Sequence, residues 1–242
     1  MFYQNKEKFV KEVFDSISNR YDLMNNILSL GLHKLWRKKA ISQLSLISSS
    51  TPKNILDLCC GTCDLSIAIS KLMLKNKVRG KVIGLDFSEK MLLLGKKKIL
   101  RNGLQGIITL MNKDATKTSF KDCTFDYVVI GFGLRNLSNL VISLKEIFRI
   151  LKVGGKVVIL ELSKSATPFF CKFYNFYVTK IIPLLGFIVT FNFSAYKWLP
   201  FSLLSFPDCK ELALLMEEVG FRDVKYLSLN FGIAFIHTGI KK

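Results

Sequence analysis

Between Asn54 and Ser163 short apolar runs alternate with longer stretches of helical periodicity, and this alternation leaves few architectures open. Asn54–Cys59, Lys81–Asp86, Ile107–Asn112, Phe125–Gly131 and Lys156–Leu162 read as strands. Asp64–Lys75, Ser88–Arg101 and Leu137–Leu151 read as helices, and Lys152–Gly155 as a turn. Helices set between successive strands imply βαβ units and a mostly parallel sheet. Right-handed crossovers then place helices on both of its faces, so the fold class is α/β.

The flanks differ from this centre. Residues 6–46 read as helical, with Phe9, Val10, Val13, Phe14 and Ile17 forming an apolar stripe and Gly31 breaking the run. From about residue 165 to 207 aromatic residues crowd together, and no acidic residue occurs between Ser163 and Pro207. This stretch reads as a helical insertion. Asp208 then caps a helix over Lys210–Val219 that ends at Gly220. Arg222–Ser228 and Gly232–Thr238 read as closing strands, a hairpin around Asn230. The whole chain, 1–242, is expected to form one domain.

Bulk properties narrow the function. Half of the residues are hydrophobic and 22% charged, which excludes a disordered chain. Mean hydropathy is +0.30. The most apolar stretch, Ile181 to Phe193, is shorter than the roughly 20 residues of a membrane span and contains Pro183 and Gly186. Met1 to Val10 lacks the apolar core of a secretory signal, so the expected location is cytoplasmic. The net charge of +18 admits three readings: nucleic-acid binding, attraction to an anionic membrane surface, or lysines scattered over a solvated face. Of six cysteines, Cys60 and Cys63 have C-x-x-C spacing, but no second pair answers them, so no metal site is expected.

The chemistry gathers at the strand ends. Ile55-Leu-Asp-Leu-Cys-Cys-Gly-Thr-Cys-Asp64 runs from a strand through a glycine turn into a helix. Such a turn lets a ligand approach the backbone closely, at the carboxyl edge where open α/β sheets bind ligands. It is neither a dinucleotide fingerprint nor a Walker loop. The second strand ends in Asp86, whose carboxylate has acceptors for two ribose hydroxyls. The third is followed by Asp114 and Ala115, and the fourth ends in Gly131. Any one of these is also an ordinary cap or turn residue.

Together the four strand ends resemble the Rossmann-like class I methyltransferases with a seven-stranded sheet, which use S-adenosylmethionine. By that resemblance Asp57, Gly61 and Thr62 line the methionine side, Asp86 takes the ribose, Asp114 and Ala115 the adenine, and Gly131 the sulfonium region. Cys63 departs from the usual Gly-Thr-Gly. Three longer motifs narrow the resemblance: Tyr21-Asp-Leu-Met-Asn25 with Ser29, His33 and Trp36; Phe132-Gly-Leu-Arg-Asn136; and Arg149 through Ser163, with Ile150 where Val is expected. These resemble the quinone-biosynthesis C-methyltransferases, from about Phe9 to the chain's end.

That resemblance implies methylation of a ring carbon of a demethylated polyprenyl quinol without a metal. The menaquinone pathway is preferred and the ubiquinone pathway is the alternative. Arg135 leads the catalytic candidates as a permanent cation beside a developing phenolate. Asn136, Tyr21, Asp22 and His33 follow; Tyr21 and His33 also read as ordinary core and helix-end residues. Phe169, Phe173, Tyr177, Phe187, Tyr196 and Trp198 are expected around a lipid-tailed substrate, with peripheral contact at the inner face of the membrane. A homodimer or a biosynthetic complex is compatible with this reading. Two rivals stand beside it: an RNA methyltransferase on the same fold, and a non-enzymatic membrane-associated assembly protein.

Overall fold

The computed structural model describes residues 6–46, 51–163, 174, 176–190 and 193–242. The centre follows the sequence pattern closely: β1 (Lys53–Leu58), α4 (Asp64–Lys75), β2 (Gly80–Asp86), α5 (Glu89–Arg101), β3 (Ile108–Asn112), β4 (Phe125–Gly131), α6 (Leu140–Ile150) and β5 (Leu151–Leu162). Helix Cys209–Val219 (α9) leads into the hairpin of β6 (Arg222–Leu229) and β7 (Ala234–Ile240). The sheet has seven strands in the order β3-β2-β1-β4-β5-β7-β6. All pairings are parallel except those that β7 makes with β5 and β6.

Alternation along the strands divides the core. Ile55, Val129, Val158 and Leu160 pack with Ile69 and Met73 of α4 and Ile99 of α5. Leu56, Val128, Ile130 and Ile159 pack with Leu144 and Ile147 of α6 and Met216 of α9. Adjacent strand residues point to opposite faces, so both faces carry helices. Asp208 caps α9 in a full capping box with Glu211, and Gly220 ends it in the left-handed region.

Two boundaries correct the sequence reading. The stretch Lys152–Gly155 is not a free turn but a bulge inside β5, where pairing with β4 jumps from Phe125↔Leu151 to Tyr127↔Lys156. Gly154 N–H donates to the Lys241 carbonyl and Lys241 N–H to that of Gly155, which holds the bulge in the sheet. Helix α6 begins at Leu140 rather than Leu137, because Asn139 caps it and a 3-10 turn occupies Leu134–Asn136.

Gly80 starts β2 at φ +143°, and a Cβ there would lie 1.9 Å from the Lys53 carbonyl oxygen. Gly80→Ala is expected to cost about 3 kcal/mol. Thermal denaturation then shows Tm lower by roughly 6–12 °C; an unchanged Tm contradicts the strand-start geometry.

The amino-terminal part forms α1 (Lys6–Ile17), α2 (Tyr21–Leu28) and α3 (Leu32–Ile41), with Gly31 at φ +78° before α3. Val13, Ile17 and Met24 pack against Tyr174, Val178, Ile182 and Leu203. Those partners belong to the aromatic stretch, which contains α7 (Ile182–Thr190) and α8 (Phe193–Leu204). Among the described residues no helix is long and apolar enough to cross a membrane.

Candidate active site

The turn after β1 is wound tightly. Cys59, Gly61 and Cys63 all have left-handed backbones, at φ +61°, +53° and +66°. For a residue with a Cβ this conformation costs roughly 1–2 kcal/mol. A Cβ added at Gly61 would meet no atom within 4 Å, so the turn's backbone faces open space. Cys63 is accommodated from α5: a Cβ at Gly95 would stand 2.3 Å from the Cys63 Sγ, so Gly95 clears the room that the thiol needs. Cys60 and Cys63 are free and buried, with their sulfurs 3.8 Å apart. Burial pushes the Cys59 and Cys60 thiols well up, so neither is a nucleophile.

Gly61, Asp86, Asp114, Ala115 and Gly131 line one cavity at the carboxyl edge of the sheet, which Glu7, Val10 and Phe14 of α1 cover. Asp86 accepts from Gly61 N–H at 2.8 Å and Ser88 N–H at 2.9 Å. Burial nevertheless raises its carboxyl to about 6. The exposed Asp114 accepts from the Thr116 N–H and hydroxyl, an Asx turn that sets its direction. At Gly131 a Cβ would lie 2.3 Å from Leu65 Cδ1, so a side chain there would displace the Leu65 tip on α4.

Asp57 and Thr62 do not line this cavity. Asp57 is fully buried, and its Oδ2 accepts from the Ser66 N–H at 2.9 Å and the Ser66 hydroxyl at 2.6 Å. It ties the first turn of α4 to β1, and burial raises its carboxyl to about 7. The Thr62 hydroxyl donates to Asp22 at 2.7 Å and accepts from Lys98 at 2.9 Å. Lys98 also pairs with Asp22 at 2.6 Å and Asp64 at 2.5 Å, and Asp64 pairs with Arg37 at 2.6 Å. One ionic network therefore fastens α2 and α3 to the β1 turn and α5. Of its members only Thr62 and Asp22 drew attention in the sequence.

A larger cavity of about 500 Å³ lies under the helical cap. That size is within the range of small-molecule sites. Its walls are mostly apolar, from α1, α2, α3 and the aromatic stretch, and include Trp36, Tyr174, Tyr177 and Trp198. Phe169 and Phe173, and the side chains of Phe187 and Tyr196, lie outside the described residues. Phe14, Tyr21, Phe132 and Asn136 border both cavities, so the two meet across a single wall. Phe132 holds a left-handed backbone at φ +61°, strain placed on that wall.

Four of the five catalytic candidates, Arg135, Asn136, Tyr21 and His33, reach the larger cavity; Asp22 does not line it and pairs with Lys98 instead. Arg135 Nη1 pairs with buried Glu161 and donates to the Phe132 carbonyl at 2.8 Å, while its Nε has no partner among the described residues. Glu161 also accepts from the backbone N–H of Arg135 and Leu162. Asn136 Oδ1 accepts from Trp198 Nε1 at 2.9 Å, and its Nδ2 donates to Phe132 at 3.3 Å. Burial raises the Tyr21 hydroxyl despite nearby Arg37. His33 Nδ1 contacts the Ser29 hydroxyl at 2.6 Å, and burial and Arg37 lower the ring to about 4, so it is neutral. Sequence reasoning missed Glu161 and Arg37 as parts of the site; the Glu within the Arg149–Ser163 motif was the available signal for Glu161.

Comparison with known proteins agrees with this geometry. The sequence profile of the ubiE/COQ5 methyltransferase family matches residues 2–241. The chain is 42% identical over 238 residues to the demethylmenaquinone methyltransferase of Bacillus cytotoxicus, covering 98% of each. It is also 42% identical to that of Staphylococcus saprophyticus, over 98% of this chain and 97% of the relative. Among solved structures it is similar to a SAM-dependent methyltransferase from Thermotoga maritima, with TM-score 0.65 and 18% identity over 96% of this chain and all of that one. Another from Aquifex aeolicus aligns with TM-score 0.58 and 17% identity over 85% and 89%. At such identities these structures show the fold.

Proposed function

Because this chain belongs to the ubiE/COQ5 methyltransferase family, we propose that it C-methylates the ring of a demethylated polyprenyl quinol, demethylmenaquinol, as the last step of menaquinone synthesis. The enzyme is an S-adenosylmethionine-dependent methyltransferase. The observation that carries the substrate reading is the shared wall: a strand-end cavity with nucleoside-binding chemistry borders an apolar cavity at Phe14, Tyr21, Phe132 and Asn136.

The residues present fit S-adenosylmethionine. The open space beside Gly61 admits a ligand against the backbone, and Asp86 stands beside it at the ribose position. In this reading Asp86 accepts from the ribose, Asp114 and the Ala115 N–H meet the adenine, and Gly61 and Gly131 give backbone access. Asp57 and Thr62 act from behind, by holding α4 and the β1 turn in place. The bound cofactor supplies a methyl group already activated on a sulfonium.

The protein's own task is then to hold the ring and favour its ionised form. Arg135 remains a cation and stabilises a phenolate, and Glu161 fixes the guanidinium. Asn136, held by Trp198, and Tyr21 orient the ring at the wall. The cap excludes water, so the chain works as one domain whose amino-terminal and aromatic helices form the acceptor chamber. Leu30 and Phe176 border that chamber and are exposed, which with the net charge of +18 supports peripheral docking on an anionic membrane.

The test is transfer of label from S-adenosylmethionine to reduced demethylmenaquinone, beside a demethylated ubiquinone precursor and bulk tRNA. Label is expected in demethylmenaquinol; preference for the ubiquinone precursor moves the pathway, and label in RNA alone overturns the substrate.

A further inference from the structure

Most polar atoms on the wall of the acceptor cavity are already engaged. Asn136 has a partner at both ends of its amide, and Arg135 carries only donors. His33 differs. Ser29 Oγ lies 2.6 Å from the Asn25 carbonyl oxygen and 2.6 Å from His33 Nδ1. The hydroxyl has one proton. If it went to Nδ1, two oxygens would face each other at 2.6 Å with no hydrogen between them. Only one arrangement satisfies both contacts: Ser29 donates to the carbonyl, and Nδ1–H donates to Ser29. The neutral ring then carries its lone pair on Nε2, which has no hydrogen-bond partner among the described residues, and the ring borders the cavity.

We infer that His33 selects the reduced acceptor over its oxidised form, by accepting at Nε2 a hydrogen bond from a ring hydroxyl. A hydroquinone offers that hydrogen; a quinone presents a carbonyl oxygen, an acceptor facing an acceptor. The Arg37 charge and burial keep the ring neutral, so Nε2 does not become a donor that would welcome the carbonyl. His33 is thus a specificity-determining residue for the redox state of the substrate. The assignment rests on the quinol reading above.

The test is anaerobic calorimetric binding of a short-tailed demethylnaphthohydroquinone and of its quinone to the full chain loaded with S-adenosylhomocysteine, which prevents turnover. The native protein is expected to prefer the reduced ring by roughly tenfold or more, the worth of one satisfied against one opposed hydrogen bond. His33→Phe, which keeps a ring in place, is expected to bring that preference below about threefold while S-adenosylhomocysteine binding is retained. Ser29→Ala, which frees the tautomer, is expected to lower the preference without removing binding of either ring. A preference unchanged in both variants overturns the inference. Should neither ring bind the native protein, the quinol reading itself fails. If His33→Phe loses S-adenosylhomocysteine binding, Ser29→Ala decides alone.

Discussion

Asp86→Ala is expected to weaken S-adenosylmethionine binding at least about 100-fold, since each hydrogen bond to a charged group contributes roughly 1.5–3 kcal/mol and two ribose hydroxyls are lost. Calorimetric titration checks it, and binding within a few-fold of the native protein would remove Asp86 from the site. Alanine also abandons the Gly61 and Ser88 N–H groups that the carboxylate now receives. Asp86→Asn keeps the shape and separates charge from turn geometry. The native protein should show a pH signature that Asn lacks. Binding needs the ionised carboxylate, and burial holds this group at about 6. Affinity is therefore expected to fall about tenfold per pH unit below about 6. Stability moves the other way for this group. Its folded value lies above the ordinary 3.8, so its contribution is present below about 4 and is lost as pH rises through about 6. Asp57 acts in the same direction up to about 7, and His33, lowered from 6.5 to about 4, opposes them by losing stability as the pH falls across that interval.

Glu161→Ala is expected to be the more damaging change to the fold. Arg135 and Glu161 are 9% and 2% exposed in their side chains, and the Arg135 Nε already lacks a partner among the described residues. Removing the carboxylate leaves a buried guanidinium without its counter-charge, which costs roughly 3–5 kcal/mol. Tm should fall by roughly 6–20 °C, and methyl transfer should fall with it because the guanidinium is no longer fixed. Glu161→Gln still accepts one bond from Arg135 and should recover part of the stability but little of the activity. A Glu161→Ala protein with native Tm and native turnover would show that the pair neither holds the turn after β4 nor serves the reaction.

What was legible in the sequence was local. Strand and helix periods carry their own burial pattern, so β4 and α4 were read to their limits, and Asp208 and Gly220 marked both ends of α9 because caps are set by neighbours in the chain. The strand-end residues Gly61, Asp86, Asp114, Ala115 and Gly131 could be gathered because a parallel sheet puts every such end on one edge. Bulges escaped this reasoning: Lys152–Gly155 has the composition of a turn, and only pairing with Lys241 keeps it in the sheet.

The tertiary structure alone decided what joins distant segments. Nothing local announces a network: Asp22 stood among the catalytic candidates, Asp64 closed the β1 turn motif, and Arg37 and Lys98 read as ordinary helix charges, until α2, α3, α4 and α5 converge. The family resemblance put Asp57 on the methionine side, yet its place within β1 turns it to Ser66 in the core. Cys63 looked like a defect in the turn until Gly95, 32 positions on, was seen to clear its sulfur. The sequence by itself determined the layered fold, because that follows from short-range periodicity, and the family resemblance singled out the strand-end residues that share one edge. The pairing of Arg135 with Glu161, the fixed tautomer of His33 and the wall shared by two cavities depend on where separate elements meet, which no local pattern encodes.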